Sequence, residues 1–133
     1  MRGPDPASLG LRLQARSESA PLLRERMCMW LEDAGAVNQD IFEVVLATIE
    51  AFANAVEHPQ EPSSQLVEVE GAITDQTVTV SIRDFGRWGN EQTRKEDGGL
   101  GLILMEELMD SVQVECFVGG TTVTMRRHLA MDW

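Results

Sequence analysis

Hydrophobic and polar residues follow two different periods along this chain. Five segments alternate apolar and polar residues, which is typical of half-buried β-strands, at 9–13, 66–73, 77–84, 111–118 and 121–129. Three segments repeat apolar residues at steps of three and four, which indicates amphipathic helices, at about 20–34, 41–58 and 100–109. The predicted order is strand, helix, helix, two strands, long polar loop, helix and two strands.

The first helix has recognisable ends. Ser17 or Ser19 can cap its beginning, and Pro21 fits its first turn, where a backbone N–H is not needed. Gly35 is expected to end the helix, because glycine readily adopts the left-handed conformation that follows a helix C-terminus. Trp30 falls on the apolar face, so we predict that it lies in the core.

The second helix is the most informative segment of the sequence. It is expected to begin at a cap formed by Asn38 or Asp40 and to run to His58, because Pro59 cannot continue a helix. Most of its residues are apolar, which predicts a largely buried helix. A carboxylate and an amide on such a helix require a hydrogen-bond partner, water or a metal. Its strongly polar residues share one stripe: Glu43, Glu50, Asn54 and Glu57/His58.

The order of elements predicts the fold class. Strands and helices do not alternate, which argues against a doubly wound nucleotide-binding fold. We expect an α+β two-layer sandwich, with a mixed, mostly antiparallel sheet and three helices on one face. Residues 1–8 are expected to form a flexible N-terminus, residues 9–129 a single domain and residues 130–133 a C-terminal tail.

Composition narrows the range of functions. The 133 residues carry a formal net charge of −11, which argues against direct nucleic-acid binding because that requires clustered Lys and Arg. No apolar run approaches the roughly 20 residues that cross a bilayer, and the N-terminus lacks the apolar core of a signal peptide. A cytoplasmic protein is expected.

Cys28 and Cys116 lie far apart without other ligand residues, which favours free, buried thiols over a zinc site or a disulfide.

Two motifs suggest nucleotide chemistry. Glu50 and Asn54 are one helical turn apart, and such an oxygen pair suits a hydrated magnesium ion, although two hydrated polar residues would give the same pattern. Asp84 closes an apolar strand just before Gly86. A carboxylate there can select a base that carries a hydrogen-bond donor, or it can simply start a turn.

Two glycine-containing motifs complete the set. Gly98, Gly99 and Gly101 precede or open the third helix, where backbone N–H groups and the helix dipole favour phosphate. Glycine lets the backbone approach closely, but glycines at loop ends are also common. Gly120 and Thr121 enter the last strand, where threonine is favoured in any case.

The four motifs in this order, with matching secondary structure between them, resemble the GHKL ATPase superfamily with its Bergerat ATP-binding fold. The resemblance covers about residues 9–129 and is greatest to the anti-sigma factor serine/threonine kinases of bacterial partner-switching systems. It implies that Glu50 is the general base, that Asn54 is a ligand of Mg²⁺ and that Asp84 recognises adenine with help from Thr121. It also implies an ATP lid at about 87–98. The implied nucleotide-binding residues are Asn54, Asp84, Gly86, Gly98, Gly99, Leu100, Gly101 and Thr121.

The same resemblance implies ATP and Mg²⁺ as cofactors and two protein partners. The kinase would hold a sigma factor inactive, thereby regulating transcription in a stress response. It would phosphorylate a Ser or Thr of an anti-anti-sigma antagonist, and it would act as a homodimer.

The sequence departs from the family pattern in the lid. Trp88 replaces the second glycine of the D-x-G-x-G motif, and Glu96-Asp97 stands where many relatives carry a basic residue. A second hypothesis is therefore a nucleotide-responsive protein-binding module with weak or no kinase activity. A third is the detached ATPase domain of a sensor histidine kinase, which ranks lower because no phosphoacceptor helix pair lies upstream. His58 could contact the metal shell or the lid, or could serve only as a helix cap.

Overall fold

Eight elements make up the described parts of the chain. A computed structural model describes residues 8–57, 66–85 and 101–130. The strands are β1 (Ser8–Gln14), β2 (Leu66–Thr74), β3 (Thr77–Asp84), β4 (Ser111–Phe117) and β5 (Gly120–His128). The helices are α1 (Ala20–Asp33), preceded by a short 3₁₀ turn, α2 (Asn38–Glu57), and α3, residues 101–108.

The strands form one five-stranded sheet in the order β1-β2-β3-β5-β4. Every pairing among the described strands is antiparallel. Asp75 and Gln76 join β2 to β3 with φ angles of 51° and 64°, the positive values required by a tight turn that follows the sheet's twist. The predicted α+β class and both predicted hairpins are confirmed, and the sheet is antiparallel rather than mixed in the strands described.

One hydrophobic core joins the three helices to one face of the sheet. Inward-facing residues alternate with exposed ones along β2 and β3, as the period of two requires. The core residues of the helices include Trp30 and Met27 of α1, Phe52 of α2 and Met105 of α3. The prediction that Trp30 lies in the core is confirmed. The opposite face of the sheet is mostly polar and exposed.

The predicted ends of α1 are largely confirmed. Pro21 lies in the first turn, and Ser19 occupies the N-cap position, although its side chain makes no capping hydrogen bond. Gly35 has a φ of 90° and donates its N–H to Glu32 O at 3.0 Å, while Ala36 N–H donates to Leu31 O at 3.0 Å. These two bonds satisfy the last carbonyls of the helix in the Schellman pattern.

The predicted start of α2 is wrong. Asn38 is already helical, and Ile41 N–H donates to Val37 O at 3.0 Å, so neither Asn38 nor Asp40 is the cap. Asp40 is instead buried within the first turn, where it pairs with a distant arginine. His58 and Pro59, the predicted end of this helix, lie outside the described residues.

Two expectations about burial need correction. Phe42 is an apolar residue of the helix that is predicted to be largely buried, yet it is 61% exposed. Cys28 and Cys116 form no disulfide, as expected, but Cys28 is only half-buried and Cys116 is exposed on the edge strand β4.

No helix in the described part of the chain is long and apolar enough to cross a membrane.

Substituting Gly71 with alanine should destabilise the protein. An added Cβ would lie 2.6 Å from Trp30 Cη2 and 2.9 Å from Trp30 Cζ3, closer than packed atoms tolerate. Overpacking of this kind costs about 1–3 kcal/mol in the free energy of unfolding. Urea denaturation measures the change. The control is Gly10→Ala, also within a strand, where an added Cβ meets nothing within 4 Å. Equal losses in the two variants would contradict the packing explanation.

Candidate functional site

The polar side chains of α2 lie beside its buried face. Ala47, Ala51 and Ala55 pack in the core, whereas Glu50 and Asn54 are half-buried. Residues four apart on a helix share a face, so the Glu50 carboxylate and the Asn54 amide point in the same direction. The helix therefore presents a hydrogen-bond acceptor pair next to the apolar layer.

Gly101 of α3 lies directly against this pair. A Cβ added at Gly101 would lie 3.0 Å from Asn54 Nδ2 and 3.5 Å from both Asn54 Oδ1 and Glu50 Oε2. A side chain here would crowd the two polar groups, so glycine allows α3 to approach α2 closely at this point. The structure thus brings together three residues that the sequence analysis placed in the site.

Asp84 and Thr121 form a second buried polar pair. They are direct neighbours in the pairing of β3 with β5, and both point to the helix side of the sheet. Asp84 is 3% exposed and Thr121 is 1% exposed. A carboxylate buried this deeply requires a partner, and Asp84 is not without one.

The backbone around this second pair is tightly packed. A Cβ added to Gly120 would overlap the carbonyl oxygen of Asp84 and lie 2.9 Å from its carbonyl carbon. A glycine is therefore required where β5 begins beside the end of β3. Gly120 belongs to one of the predicted motifs, and the close approach of Asp84 explains why that motif has a glycine at this position.

The two pairs come from different layers of the sandwich. Glu50 and Asn54 belong to α2, and Asp84 and Thr121 belong to the neighbouring strands β3 and β5. A carboxylate and an amide can hold a hydrated cation or accept protons, and a buried carboxylate can select a hydrogen-bond donor. Within residues 8–57, 66–85 and 101–130, no group of three or more His, Cys, Asp or Glu could hold a metal. A metal here would depend on an amide, water and a bound ligand.

Several predicted site residues lie outside the described residues. They are Gly86, Gly98, Gly99, Leu100, the lid at about 87–98 and His58. Their roles remain predictions from the sequence.

A comparison with protein-family profiles shows which family the chain belongs to. The sequence profile of the histidine kinase-like ATPase domain matches residues 13–127, most of the chain. The protein belongs to the histidine kinase-like ATPase domain family. The resemblance predicted from the four motifs is confirmed.

Individual relatives agree with this assignment. The anti-sigma F factor of Clostridium acetobutylicum is 28% identical over 134 residues, covering 91% of this chain and 93% of the relative. The serine-protein kinase RsbW of Staphylococcus aureus is 28% identical over 139 residues, covering 92% of this chain and 87% of the relative. Both lie within the anti-sigma kinase group that the sequence motifs resemble.

A solved structure shows the same fold. The crystal structure of the RsbU and RsbW domains of Rv1364c from Mycobacterium tuberculosis matches with a TM-score of 0.78 and 32% identity. The match covers 96% of this chain and 34% of that longer chain. The α+β architecture described above is therefore that of an RsbW-like domain.

This ATPase-family domain also contains an ionic cluster that sequence reasoning missed. Arg127 of β5 donates through Nη2 to Asp40 Oδ1 at 2.7 Å and through Nη1 to Leu108 O at 2.6 Å. It also forms an ion pair with Glu43. Ala130 N–H donates to the other carboxylate oxygen of Asp40 at 2.7 Å. The cluster joins α2, the end of α3 and the end of β5.

The sequence contained only a partial signal for this cluster. Asp40 and Glu43 are three residues apart, which places two carboxylates near each other at the start of α2. Their partner Arg127 is 87 residues from Asp40, and nothing in the local pattern connects them. Glu43 shares the predicted stripe with Glu50, two helical turns later, and its side chain pairs with Arg127 in the ionic cluster.

Hydrogen bonds shift the pKa values of both Glu43 and Arg127. The pKa of Glu43 is lowered, first by a hydrogen bond from Gln39 Nε2 at 2.7 Å and then by Arg127. Burial by itself would lower the pKa of Arg127, but hydrogen bonds to Glu43 and Asp40 outweigh it and raise the pKa. Both groups are therefore held in their charged forms at neutral pH.

Replacing Glu43 with glutamine should alter how stability depends on pH. Because the pKa of Glu43 is lower in the folded state, its ionised form stabilises the fold at pH values above the ordinary glutamate pKa. That contribution is lost as pH falls through the lowered folded value. We expect Glu43→Gln to reduce the free energy of unfolding most near neutral pH, with the difference from the unsubstituted protein shrinking below about pH 4.

Urea unfolding at a series of pH values measures this difference. The control is Glu57→Gln, which removes an exposed carboxylate from the same helix. A Glu43→Gln difference that stays constant from neutral to acidic pH would show that the ionised pair does not stabilise the fold.

Proposed function

We propose that this protein is an ATP- and magnesium-dependent serine/threonine kinase that acts as an anti-sigma factor. It would hold a sigma factor inactive and phosphorylate a Ser or Thr of an anti-anti-sigma antagonist. Membership in the ATPase-domain family supports nucleotide binding, and the relatives named anti-sigma F factor and serine-protein kinase RsbW support the regulatory role.

The observation that carries the proposal is the approach of Gly101 to Glu50 and Asn54. Because glycine has no side chain, the backbone of α3 comes close to the polar pair, as a phosphate-binding segment beside a metal ligand requires. The residues just before it in sequence, Gly98 and Gly99, are proposed to continue this phosphate-binding segment. If Glu50 and Asn54 only formed a solvated face of α2, there would be no need for a glycine where α3 meets them.

The residues fit a magnesium nucleotide. Asn54 Oδ1 is a hard oxygen ligand of the kind that Mg²⁺ accepts beside phosphate oxygens and water. Bound magnesium would supply neutralisation of the charge that develops on the phosphates during transfer. Glu50 would accept the proton of the acceptor hydroxyl, because its carboxylate is half-buried one turn from Asn54.

The second pair fits the base of the nucleotide. We propose that Asp84 accepts a hydrogen bond from the adenine amino group and that Thr121 assists as its direct neighbour on β5. A buried carboxylate favours a ligand that carries a donor over one that carries an acceptor, since two facing acceptors would leave both unsatisfied. Gly86, the next glycine in the sequence, is proposed as a further nucleotide-binding residue.

Partner binding and assembly complete the proposal. The acidic net charge of −11 suits a protein-binding regulator better than a nucleic-acid binder. We propose a cytoplasmic homodimer, with the sigma factor and the antagonist as alternative partners.

Replacing Asn54 with alanine should remove magnesium-dependent ATP binding. The substitution deletes the proposed metal ligand while leaving the apolar face of α2 intact. Isothermal titration calorimetry with ATP, with and without Mg²⁺, measures the effect. The matched control is Asn38→Ala, which removes an exposed asparagine from the start of the same helix. Magnesium-dependent binding that survives in folded Asn54→Ala would exclude Asn54 as the ligand.

Replacing Glu50 with glutamine should abolish transfer while leaving ATP binding largely intact. The amide keeps the size of the side chain but cannot take up the hydroxyl proton, and loss of a general base typically costs about 10²–10⁴-fold in rate. Transfer of radiolabel from γ-labelled ATP to a purified candidate antagonist measures the rate. The control is Glu32→Gln, an exposed carboxylate on α1.

Two outcomes of the transfer assay would change the proposal. Transfer retained by Glu50→Gln would remove Glu50 from the mechanism. ATP binding without any labelled antagonist in the unsubstituted protein would favour the second hypothesis, a nucleotide-responsive binding module. That hypothesis is motivated by Trp88 and Glu96-Asp97 in the lid sequence.

A further inference from the structure

We propose that Arg127 is a positioning residue for the nucleotide site, acting by holding α3 against α2. This inference rests on the proposed function, since it assigns a role toward the same site. Arg127 does not contact Glu50 or Asn54 in the contacts described above. Its effect would pass through α3, which carries Gly101.

Arg127 connects three elements at one point. One guanidinium nitrogen bonds Asp40 Oδ1 on α2 at 2.7 Å, and the other bonds Leu108 O at the end of α3 at 2.6 Å. The ion pair with Glu43 adds a second bond to α2. The side chains of Arg127 and Asp40 are 17% and 6% exposed, so water competes weakly for these bonds. Arg127 therefore bridges the two helices that meet at the site.

The bond to Leu108 acts on the last turn of α3. Carbonyl groups there have no partner within the helix, and a positive charge near them is favourable for the helix dipole. Gly101 lies seven residues earlier on the same helix, about 10 Å along its axis at 1.5 Å per residue. Because a short helix moves as a rigid body, a shift at Leu108 would also move Gly101 relative to Asn54.

Separate contacts fix the exit of α3 to the sheet. Asp110 N–H donates to Arg126 O at 2.8 Å, and Asp110 Oδ2 accepts from His128 N–H at 2.7 Å. These bonds attach the chain after α3 to β5, whereas Arg127 attaches α3 to α2. Removing Arg127 should therefore loosen the contact between the helices without detaching α3 from the sheet.

The geometry requires arginine rather than any cation. Arg127 serves two carboxylates and one carbonyl through the fixed fork of its guanidinium, and a lysine ammonium cannot reach all three in the same arrangement. Arg127→Lys keeps the positive charge and changes the geometry. It is therefore a sharper test than removal of the side chain, which would leave Asp40 buried and unpaired.

The experiment compares magnesium-ATP affinity in three variants with the unsubstituted protein, by calorimetry at a temperature where all are folded. Arg127→Lys should weaken binding about tenfold, within the range of effects seen for residues that couple to a site without touching its ligand. Arg126→Lys is the matched control, because Arg126 is exposed on the neighbouring position of β5. It should leave affinity unchanged.

Asp40→Asn separates positioning from stability. This variant disturbs the hydrogen bonds of Asp40 with Arg127 and Ala130. It leaves the contacts of Arg127 with Leu108 on α3 and Glu43 on α2, so the two helices stay bridged. We expect it to lower the melting temperature while changing affinity less than Arg127→Lys does. Hydrogen exchange of the α3 amides tests the mechanism in the absence of nucleotide. Faster exchange in Arg127→Lys but not in Arg126→Lys would support the role of Arg127 in holding α3 against α2.

The outcomes distinguish this inference from the proposed function. If the unsubstituted protein does not bind magnesium-ATP, the proposed function is wrong and the inference falls with it. If the unsubstituted protein binds and folded Arg127→Lys binds equally well, only the positioning role is overturned. Equal losses of affinity in Arg127→Lys and Asp40→Asn, in proportion to their losses of stability, would also overturn it.

Discussion

The buried ion pair between Asp40 and Arg127 ties the helical layer to the sheet. Asp40 lies in the first turn of α2, and Arg127 lies near the end of β5, so one contact spans both layers of the sandwich. Breaking a buried pair by removing one partner typically costs about 3–5 kcal/mol, because the remaining charge is left without compensation. The pair also fixes register, since each carboxylate oxygen has its own donor, one from Arg127 and one from the backbone of Ala130. Hydrophobic packing alone would allow α2 to slide along the sheet, whereas these directional bonds define its position.

With α2 fixed in this way, one helix can serve both the core and the site. Its apolar face packs against α1, β2, β3 and β5, while Glu50 and Asn54 lie at the margin of that face. At this margin a polar group is withdrawn from bulk water but still accessible to a ligand, which strengthens electrostatic interactions without the full cost of burial. Gly101 enters at the same margin from α3. The buried pair Asp84 and Thr121 belongs to the neighbouring strands β3 and β5 of the sheet.

Family membership and residue roles rest on different kinds of support. The profile match over residues 13–127 and the TM-score of 0.78 establish the fold and the family. A shared fold does not by itself fix chemistry, which depends on the groups at the site. Motif spacing selected Glu50, Asn54 and Gly101, and the structure brings Gly101 of α3 close to the other two residues on α2. The proposed kinase activity depends on that arrangement together with the lid, whose sequence departs from the family pattern at Trp88 and Glu96-Asp97.

The sequence by itself determined the elements, the fold class and the identity of the motif residues. Periods of two and near four located the strands and helices, and the glycine at position 35 marked the end of α1, because these signals depend on local backbone geometry. Tertiary structure decided contacts between distant positions. It placed Asp40 in a buried ion pair instead of the predicted cap and gave Glu43 the same arginine partner, since Arg127 approaches only when β5 pairs beside β3. It left Phe42 exposed because no described element covers that side of α2. A periodic pattern records which residues share a face, whereas the partner that meets a face is set by packing among segments far apart in the chain.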